Sequence, residues 1–149
     1  MKALIQRVSK ASVVIEGNIF SSIGRGLLVL VGFKTSDTAE DARYVAQKCC
    51  SLRIFEDGQQ KMNVSVREVA GSVLAVSQFT LYGDTRKGNR PSFIEAAPSE
   101  VAEPLYNIFV EELRFQIGVE KVATGVFRAM MDVEMTNSGP VTIMIESKG

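Results

Sequence analysis

Apolar and polar residues alternate along much of the chain, and this pattern predicts a sheet. Partial alternation over Leu4 to Val14 predicts a strand, and the turn residues Glu16-Gly17-Asn18 predict a hairpin into a second strand. The run from Leu27 to Phe33 is apolar throughout, which is typical of a strand buried on both faces. We expect this strand at the centre of the sheet.

Two stretches have the periodicity of amphipathic helices. Asp37 with Glu40 three residues later has the pattern of a capping box, and the apolar spacing that follows predicts a helix over about Thr38 to Ser51. Pro98-Ser99 predicts the start of a second helix with one apolar stripe. Pro104 predicts either a later start of that helix or a kink in its first turn.

Further strands are predicted in the rest of the chain. Leu52 to Phe55 fits a short strand and Val73 to Leu81 a buried one, which a long loop over residues 82–97 follows. The last two predicted strands, joined by hairpin-like turn residues over Asn137 to Pro140, are Ala129 to Thr136 and Val141 to Glu146. Without repeats or composition breaks, residues 1–149 predict a single α+β domain with a mainly antiparallel, barrel-like sheet and two main amphipathic helices.

The composition narrows the classes of function. Hydrophobic residues make up 46% of the 149 residues and charged ones 23%, which are ordinary values for a globular protein. Lysine plus arginine equal aspartate plus glutamate at 17 each, so we do not expect an extended surface that binds long nucleic acid. A local contact with one end of an RNA is still compatible with this charge balance. No segment resembles a signal peptide or approaches the roughly 18 apolar residues of a membrane span, which predicts a soluble cytoplasmic protein without a membrane partner.

The chain contains no histidine, which removes the commonest general base and the commonest metal ligand. Its two cysteines, Cys49 and Cys50, are adjacent, a spacing that suits neither a structural disulfide nor a zinc site. Any chemistry must therefore use positioned amides, hydroxyls or groups of the substrate. We expect no metal and no cofactor.

The string from Ser77 to Leu81 ends the predicted buried strand and has two interpretations. Ser77, Gln78 and Thr80 could be polar residues on the exposed face of an edge strand. Against this, the preceding residues are apolar enough for a central strand, and the two-residue period places Gln78 and Thr80 on one face. Their position before a long loop is usual for a functional site.

The dipeptide Gly139-Pro140 also has two interpretations. It could be an ordinary turn. The polar residues Asn137 and Thr142 enclose it between apolar segments, and a rigid glycine-proline carbonyl would be a fixed acceptor that a ligand can approach closely.

Cationic residues give two further candidates. The loop cluster Arg86, Lys87 and Arg90 is either a solvated surface or a phosphate-binding patch. Arg7 lies in the first strand between apolar neighbours, where an arginine generally has a carbonyl or carboxylate partner.

Taken together, these strings resemble the D-aminoacyl-tRNA deacylases, also called D-tyrosyl-tRNA deacylases. The resemblance spans essentially the whole chain, and the joint occurrence of its strings in this order is very specific. In chain order they are IQRVSKASV, IGRGLLVLVG, LRIFED, KMN, VSQFTLYGDTRKGNRPSF, AEPLY and NSGPVT. The resemblance implies a single deacylase domain and hydrolysis of the ester of D-aminoacyl-tRNA to free D-amino acid and tRNA.

The resemblance also implies a homodimer with active sites at the subunit interface. Gly139-Pro140 of one subunit, with its peptide bond cis, would reach into the partner's pocket and exclude L-aminoacyl groups through main-chain atoms. Arg7 would hold this dipeptide in orientation. The string SQFTL would line the same pocket, and Ala102 would lie near the terminal adenosine of the tRNA 3′ end.

The resemblance implies that the backbone N–H of Phe79 lies near the scissile ester, and the absence of histidine limits how the reaction can proceed there. We expect the Phe79 N–H, helped by Gln78, to stabilise the tetrahedral oxyanion while the 2′-hydroxyl of the terminal adenosine orients or activates water. Thr80 as a nucleophile is the competing route, with no histidine to activate it. Glycyl esters should also be cleaved, since they lack a side chain to reject. A non-catalytic RNA-binding or assembly module is the rival class.

Overall fold

The computed structural model describes residues 1–147, within which eight strands form the sheets and two α-helices the long helices. The strands are β1 (Lys2–Ile15), β2 (Asn18–Ile23), β3 (Gly26–Gly32), β4 (Phe55–Glu56), β5 (Met62–Val64), β6 (Ser72–Ser77), β7 (Val122–Thr124) and β8 (Asp132–Glu146). The α-helices are α1 (Ala39–Ser51) and α2 (Ser99–Ile117), and short 3-10 helices span Phe79–Tyr82 and Val119–Lys121.

The main sheet is organised around β1. One edge of β1 pairs antiparallel with β8 along almost its whole length, and the other edge pairs antiparallel with β3 and then β2. β6 continues the sheet parallel to β3, and β7 lies parallel to β6, while β4 and β5 form a separate antiparallel pair. The prediction of an α+β fold with a mainly antiparallel, barrel-like sheet and two helices is therefore confirmed.

Both faces of the sheet are covered, which explains the unbroken apolar run in β3. Val29 and Ile5 contribute to a core under α1 and α2, which we call the helix-side core. Leu28 and Val8 contribute to a second core on the opposite face. Each fully buried aliphatic or aromatic side chain of this kind contributes roughly 1.5–3 kcal/mol to folding.

The first helix begins one residue later than its predicted capping box. Thr38 is the cap: its hydroxyl accepts from the Asp41 N–H at 3.3 Å, and the Asp41 carboxylate accepts from the Thr38 N–H at 2.8 Å. Asp37 does not cap the helix, because its carboxylate accepts hydrogen bonds from the Met1 ammonium at 2.7 Å and the Lys34 N–H at 2.8 Å. The pairing of Asp37 with Glu40 was therefore wrong, although the helix itself is confirmed.

One strand and one helix have boundaries that differ from those predicted. The short strand predicted over Leu52 to Phe55 is found at Phe55–Glu56 instead. α2 starts directly after Pro98 and contains Pro104 inside it, so the late start was wrong. Within residues 1–147, neither long helix combines the length and the hydropathy needed to cross a membrane.

The predicted strand Val73 to Leu81 ends earlier, at Ser77. Phe79–Tyr82 forms a 3-10 helix in which the Leu81 N–H donates to the Gln78 carbonyl at 3.3 Å. The apolar pattern continues through Leu81, but the backbone turns after the last residue that pairs with β3. Gln78 and Thr80 therefore do not share a strand face.

The hairpin predicted over Asn137 to Pro140 is also wrong, because β8 is one strand. Thr142 pairs with Gln6 and Asn137 pairs with Val8, so four residues of β8 lie opposite Arg7 alone. We call these residues, Ser138 to Val141, the Gly-Pro bulge. Packing explains why the strand continues: the part before the bulge packs on the second core, and the part after it packs on the helix-side core.

The adjacent cysteines give a test of the core. Cys49 and Cys50 are free thiols with fully buried side chains, and burial raises the pKa of Cys50 to about 11 and that of Cys49 further. At pH 8 both thiols should stay protonated in the folded protein and react slowly with a thiol reagent such as DTNB. In urea their pKa returns to about 8.5 and the reaction becomes fast. Rapid modification of the native protein would contradict this packing.

Candidate active site

A cleft of about 690 Å³ opens beside the end of β6, within the size range of small-molecule sites. It lies where β6, the start of α2 and the segment that leads into β8 meet. Ser77, Gln78 and Phe79 from the predicted string and Ala102 from α2 line it together. Its other lining residues are Gly32, Phe33, Val76, Phe93, Ala96, Ala97, Pro98, Ser99, Phe127, Arg128, Ala129, Met130, Met131 and Val133.

The backbone at the cleft is fixed by the sheet. The Gln78 N–H donates to the Val31 carbonyl at 2.7 Å, which anchors the chain to β3 at the point where the strand ends. Phe79 then opens the 3-10 helix, so its N–H precedes the first hydrogen bond of that helix and has no acceptor within it. Phe79 itself lines the cleft, so a residue of the cleft wall carries a main-chain donor that has no partner in its own turn.

An aromatic contact holds the long loop against this donor. The ring of Phe93 meets the ring of Phe79 edge to face, with centroids 5.1 Å apart and planes at 72°. Such a pair contributes roughly 0.5–1.5 kcal/mol beyond its buried area. Phe93 was not predicted as part of the site, because the sequence of the loop over residues 82–97 has no spacing that would place one of its apolar side chains at the cleft.

Gln78 and Thr80 are joined by a side-chain hydrogen bond. The Gln78 amide donates to the Thr80 hydroxyl oxygen, although the two residues lie on a turn and not on one strand face. Thr80 is exposed and is not among the residues that line the cleft. A hydroxyl oxygen that accepts a hydrogen bond is a poorer nucleophile than a free one.

The cleft wall carries few groups for proton transfer. Among the residues that the structure describes, Arg128 is the one charged side chain in the cleft wall, and a guanidinium donates hydrogen bonds but accepts none. The nearby Tyr106 hydroxyl donates to the Ala75 carbonyl at 2.8 Å, and burial raises its pKa. Within residues 1–147 no group of three or more His, Cys, Asp or Glu side chains is placed to hold a metal ion.

The Gly-Pro bulge is held by Arg7. Its Nε donates to the Ser138 carbonyl at 2.9 Å and its Nη1 to the Ile54 carbonyl at 2.8 Å, so the carbonyl partner predicted for this buried arginine is present. The peptide bond between Gly139 and Pro140 is cis, as the resemblance implies, and both residues are exposed. Ile54 as a second partner could not be read from the sequence, because it lies 47 residues away.

Within one chain, the two halves of the expected site are separate. Gly139, Pro140 and Arg7 are not among the residues that line the cleft; Arg7 and Ser138 line a different, smaller cavity of about 290 Å³. Ser77, Gln78, Phe79 and Ala102 are brought together. One chain therefore presents a cleft and an exposed bulge as two surfaces.

The basic loop is partly neutralised by its own aspartate. Arg86 donates from Nε and Nη2 to the two Asp84 carboxylate oxygens at 2.8 and 2.7 Å, and this contact lowers the pKa of Asp84 to about 2. Asp84 and Ser92 exchange backbone hydrogen bonds that close the loop. Lys87 and Arg90 are exposed at its tip, outside the cleft.

Comparison with known sequences decides the family. The sequence model of D-Tyr-tRNA(Tyr) deacylase matches residues 4–146, nearly the whole chain. The chain belongs to this deacylase family.

Relatives of this deacylase chain agree with that assignment. A protein of Heliobacterium modesticaldum named D-aminoacyl-tRNA deacylase is 57% identical over 149 residues, which cover 100% of this chain and 98% of the relative. A protein of Koribacter versatilis with the same name is 56% identical over 148 residues, which cover 99% of this chain and 98% of the relative. The tRNA deacylase assignment thus extends over the full length of both proteins.

Two solved structures share the deacylase fold. One, of a protein named c-Myc DNA Unwinding Element Binding Protein, has a TM-score of 0.95 and 44% identity and covers 100% of both chains. The other, of a probable eukaryotic D-amino acid tRNA deacylase, has a TM-score of 0.84 over 97% of this chain and 98% of that one. Its 20% identity makes it a comparison of fold alone.

The bulge of this deacylase can be tested with two glycines of similar backbone conformation. Gly139 and Gly88 have φ values of 133° and 122°, but a Cβ on Gly139 would lie 2.8 Å from Arg7 Nη2, while one on Gly88 would have no atom within 4 Å. Both alanine variants should lose roughly 1–2 kcal/mol from backbone strain. Gly139→Ala should lose about 1 kcal/mol more from the clash, measured by urea unfolding at one protein concentration. Equal losses would contradict the close packing of Arg7 under Gly139.

Proposed function

We propose that the chain, as a single domain over residues 1–149, hydrolyses the ester of D-aminoacyl-tRNA in the cytoplasm and releases the D-amino acid and tRNA. The observation that carries this proposal is that Phe79, whose N–H has no acceptor in its own turn, lines a cleft in which the described residues include no carboxylate and no histidine. Membership of the deacylase family supports the substrate class. The cleft volume of about 690 Å³ suits the aminoacyl-adenosine end of the tRNA.

The proposed reaction uses the main chain as its catalytic group. Water attacks the ester carbonyl carbon, and the Phe79 N–H donates to the oxyanion that forms. Gln78 and Ser77 lie beside it and complete the polar wall. The intermediate then collapses, the bond to the ribose 3′-oxygen breaks, and that oxygen takes up the proton that the attacking water loses, which the vicinal 2′-hydroxyl passes on. The vicinal 2′-hydroxyl orients the attacking water, which takes the place of a general base on the protein.

A covalent route through Thr80 has less support. Its hydroxyl oxygen accepts from Gln78 and lies outside the cleft wall. The sequence contains no histidine that could take its proton, and among residues 1–147 no carboxylate lines the cleft to do so. The RNA-assisted route needs neither group.

Selection of the D configuration is proposed to require a second copy of the chain. The exposed Gly139-Pro140 of one subunit would enter the cleft of its partner, where its main-chain atoms occupy the space that an L side chain needs. Arg7 would hold the bulge in place through the Ser138 carbonyl. Entry into a partner's cleft is supported by the position of the dipeptide, which is exposed and is not among the residues that line the cleft of its own chain. A D side chain or the single hydrogen of glycine would avoid the clash.

The tRNA contacts are proposed from position and charge. Ala102 lies in the cleft wall beside Phe33, where it can pack against the terminal adenosine. Lys87 and Arg90 are exposed on the basic loop and can reach phosphates, whereas the charge of Arg86 is offset by Asp84.

A nucleic-acid-binding or assembly module without catalysis is the second candidate. One of the two similar structures is that of a protein named for binding a DNA unwinding element, which favours this class. The balance of 17 basic and 17 acidic residues and the pairing of Arg86 with Asp84 weigh against it, because a broad nucleic-acid surface needs an excess of positive charge.

Hydrolysis of charged tRNA separates the two classes. Purified protein should release D-tyrosine from D-tyrosyl-tRNA, leave L-tyrosyl-tRNA intact and cleave glycyl-tRNA, as followed by release of labelled amino acid. Binding of D-tyrosyl-tRNA without release would support the binding module and exclude the enzyme. Cleavage of D-tyrosyl-tRNA with no cleavage of glycyl-tRNA would contradict the steric basis of the selection.

Three variants distinguish the main-chain route from the covalent one. Phe79→Ala keeps the backbone N–H and Phe79→Pro removes it, so the proline variant should be slower than the alanine variant by about 10²- to 10³-fold in kcat. Thr80→Val removes only the hydroxyl and should keep a near-normal rate on D-tyrosyl-tRNA. Melting temperatures serve as the folding control. A Thr80→Val variant that folds but is inactive would establish the covalent route instead.

A further inference from the structure

The Gly-Pro bulge interrupts the ladder between β1 and β8. Thr142 pairs with Gln6 and Asn137 with Val8, so the register assigns no β1 partner to the residues between them. A backbone segment without ladder bonds is free to move unless side chains replace those bonds. The position of the bulge therefore depends on which side chains hold its two ends.

Arg7 holds the first end only. Its Nε donates to the Ser138 carbonyl at 2.9 Å, which fixes the residue before Gly139. Its Nη1 bonds to the Ile54 carbonyl at 2.8 Å, outside the bulge. Arg7 makes neither of these hydrogen bonds to Val141, so a different side chain must hold the second end of the bulge.

The Asn137 side chain holds the second end. Its Oδ1 accepts from the Val141 N–H at 2.8 Å, and its Nδ2 donates to the Val141 carbonyl at 3.3 Å and to the Thr142 hydroxyl at 3.1 Å. An amide that both accepts from and donates to one residue reproduces the two-bond pattern of a paired strand residue. Asn137 thus replaces, for Val141, the ladder bonds that β1 does not supply.

We propose that Asn137 is a positioning residue for stereochemical selection, with Thr142 as its support. Gly139 and Pro140 lie between the end fixed by Arg7 and the end fixed by Asn137, so both holds are needed to keep the dipeptide at one depth in the partner's cleft. The inference rests on the proposed function, because it assigns Asn137 to the rejection of L-aminoacyl esters. Asn137 itself does not touch the reacting atoms.

The chain offers graded variants for a test. Asn137→Ala removes all three hydrogen bonds, and Asn137→Asp keeps the acceptor for the Val141 N–H but loses both donated bonds. Thr142→Val removes the hydroxyl at nearly constant shape, and Thr142→Ser, which keeps it, is the matched control. The ratio of the hydrolysis rate of D-tyrosyl-tRNA to that of L-tyrosyl-tRNA should fall least in Thr142→Val, further in Asn137→Asp and most in Asn137→Ala. For Asn137→Ala we expect a fall of about tenfold, because all three neutral hydrogen bonds of this side chain are lost.

Hydrogen exchange of the Val141 amide provides a second readout that does not need activity. It should exchange faster in Asn137→Ala than in the wild type, since its acceptor is gone, while amides of β3 keep their protection. If Asn137→Ala does not fold, the ratio of D-tyrosyl-tRNA to L-tyrosyl-tRNA hydrolysis in Asn137→Asp, and in Thr142→Val compared with Thr142→Ser, tests the inference instead. An active wild type whose variants keep the full ratio would overturn this inference and leave the proposed function standing. A wild type that does not cleave D-tyrosyl-tRNA would overturn both.

Discussion

The antiparallel pairing of β1 with β8 is the constraint on which the rest of the structure depends. It runs from Lys2 opposite Glu146 to Val14 opposite Asp132 and, at the Gly-Pro bulge, tolerates three extra residues without separating the strands. Because the strand resumes on both sides, the extra residues are forced outward, and Gly139-Pro140 becomes an exposed projection with fixed ends. The same strand β1 aligns β3, and through β3 it sets the point where β6 ends and the Phe79 turn begins.

This arrangement explains how a protein without histidine can support ester hydrolysis. Among the described residues the cleft has one charged side chain, which offers little acid-base chemistry. A main-chain N–H such as that of Phe79 needs no ionisation, and the residue before it is bonded to the sheet. An aminoacyl ester also brings its own vicinal hydroxyl. On this account both catalysis and the check of chirality are carried out by backbone atoms, and the side chains of Arg7, Asn137 and Phe93 keep those atoms in place.

The sequence predicted the parts of the fold whose pattern is local. Alternation indicated β1, the apolar run indicated β3, and helical spacing indicated α1. The motif strings indicated Phe79, which lines the cleft, and Gly139-Pro140, which is exposed on β8. Long-range interactions account for the failures. Turn residues around Gly139 favoured a hairpin. Pairing with β1 on both sides of the bulge, and the hydrogen bond from Arg7, instead make β8 one continuous strand. The apolar pattern through Leu81 favoured a longer β6, but pairing with β3 ends at Ser77. Phe93 reaches the cleft only because its loop folds back.

The central claim is that a main-chain donor of one subunit and the Gly-Pro bulge of another form one site. A crystal structure with a non-hydrolysable amide analogue of D-tyrosyl-adenosine tests it most directly. The account predicts that the analogue's carbonyl oxygen lies within about 3.1 Å of the Phe79 nitrogen, the distance expected of an oxyanion donor. It also predicts that Gly139 and Pro140 next to its α-carbon come from a second copy of the chain. An analogue enclosed by one copy alone, or one whose carbonyl points away from Phe79, would contradict the account.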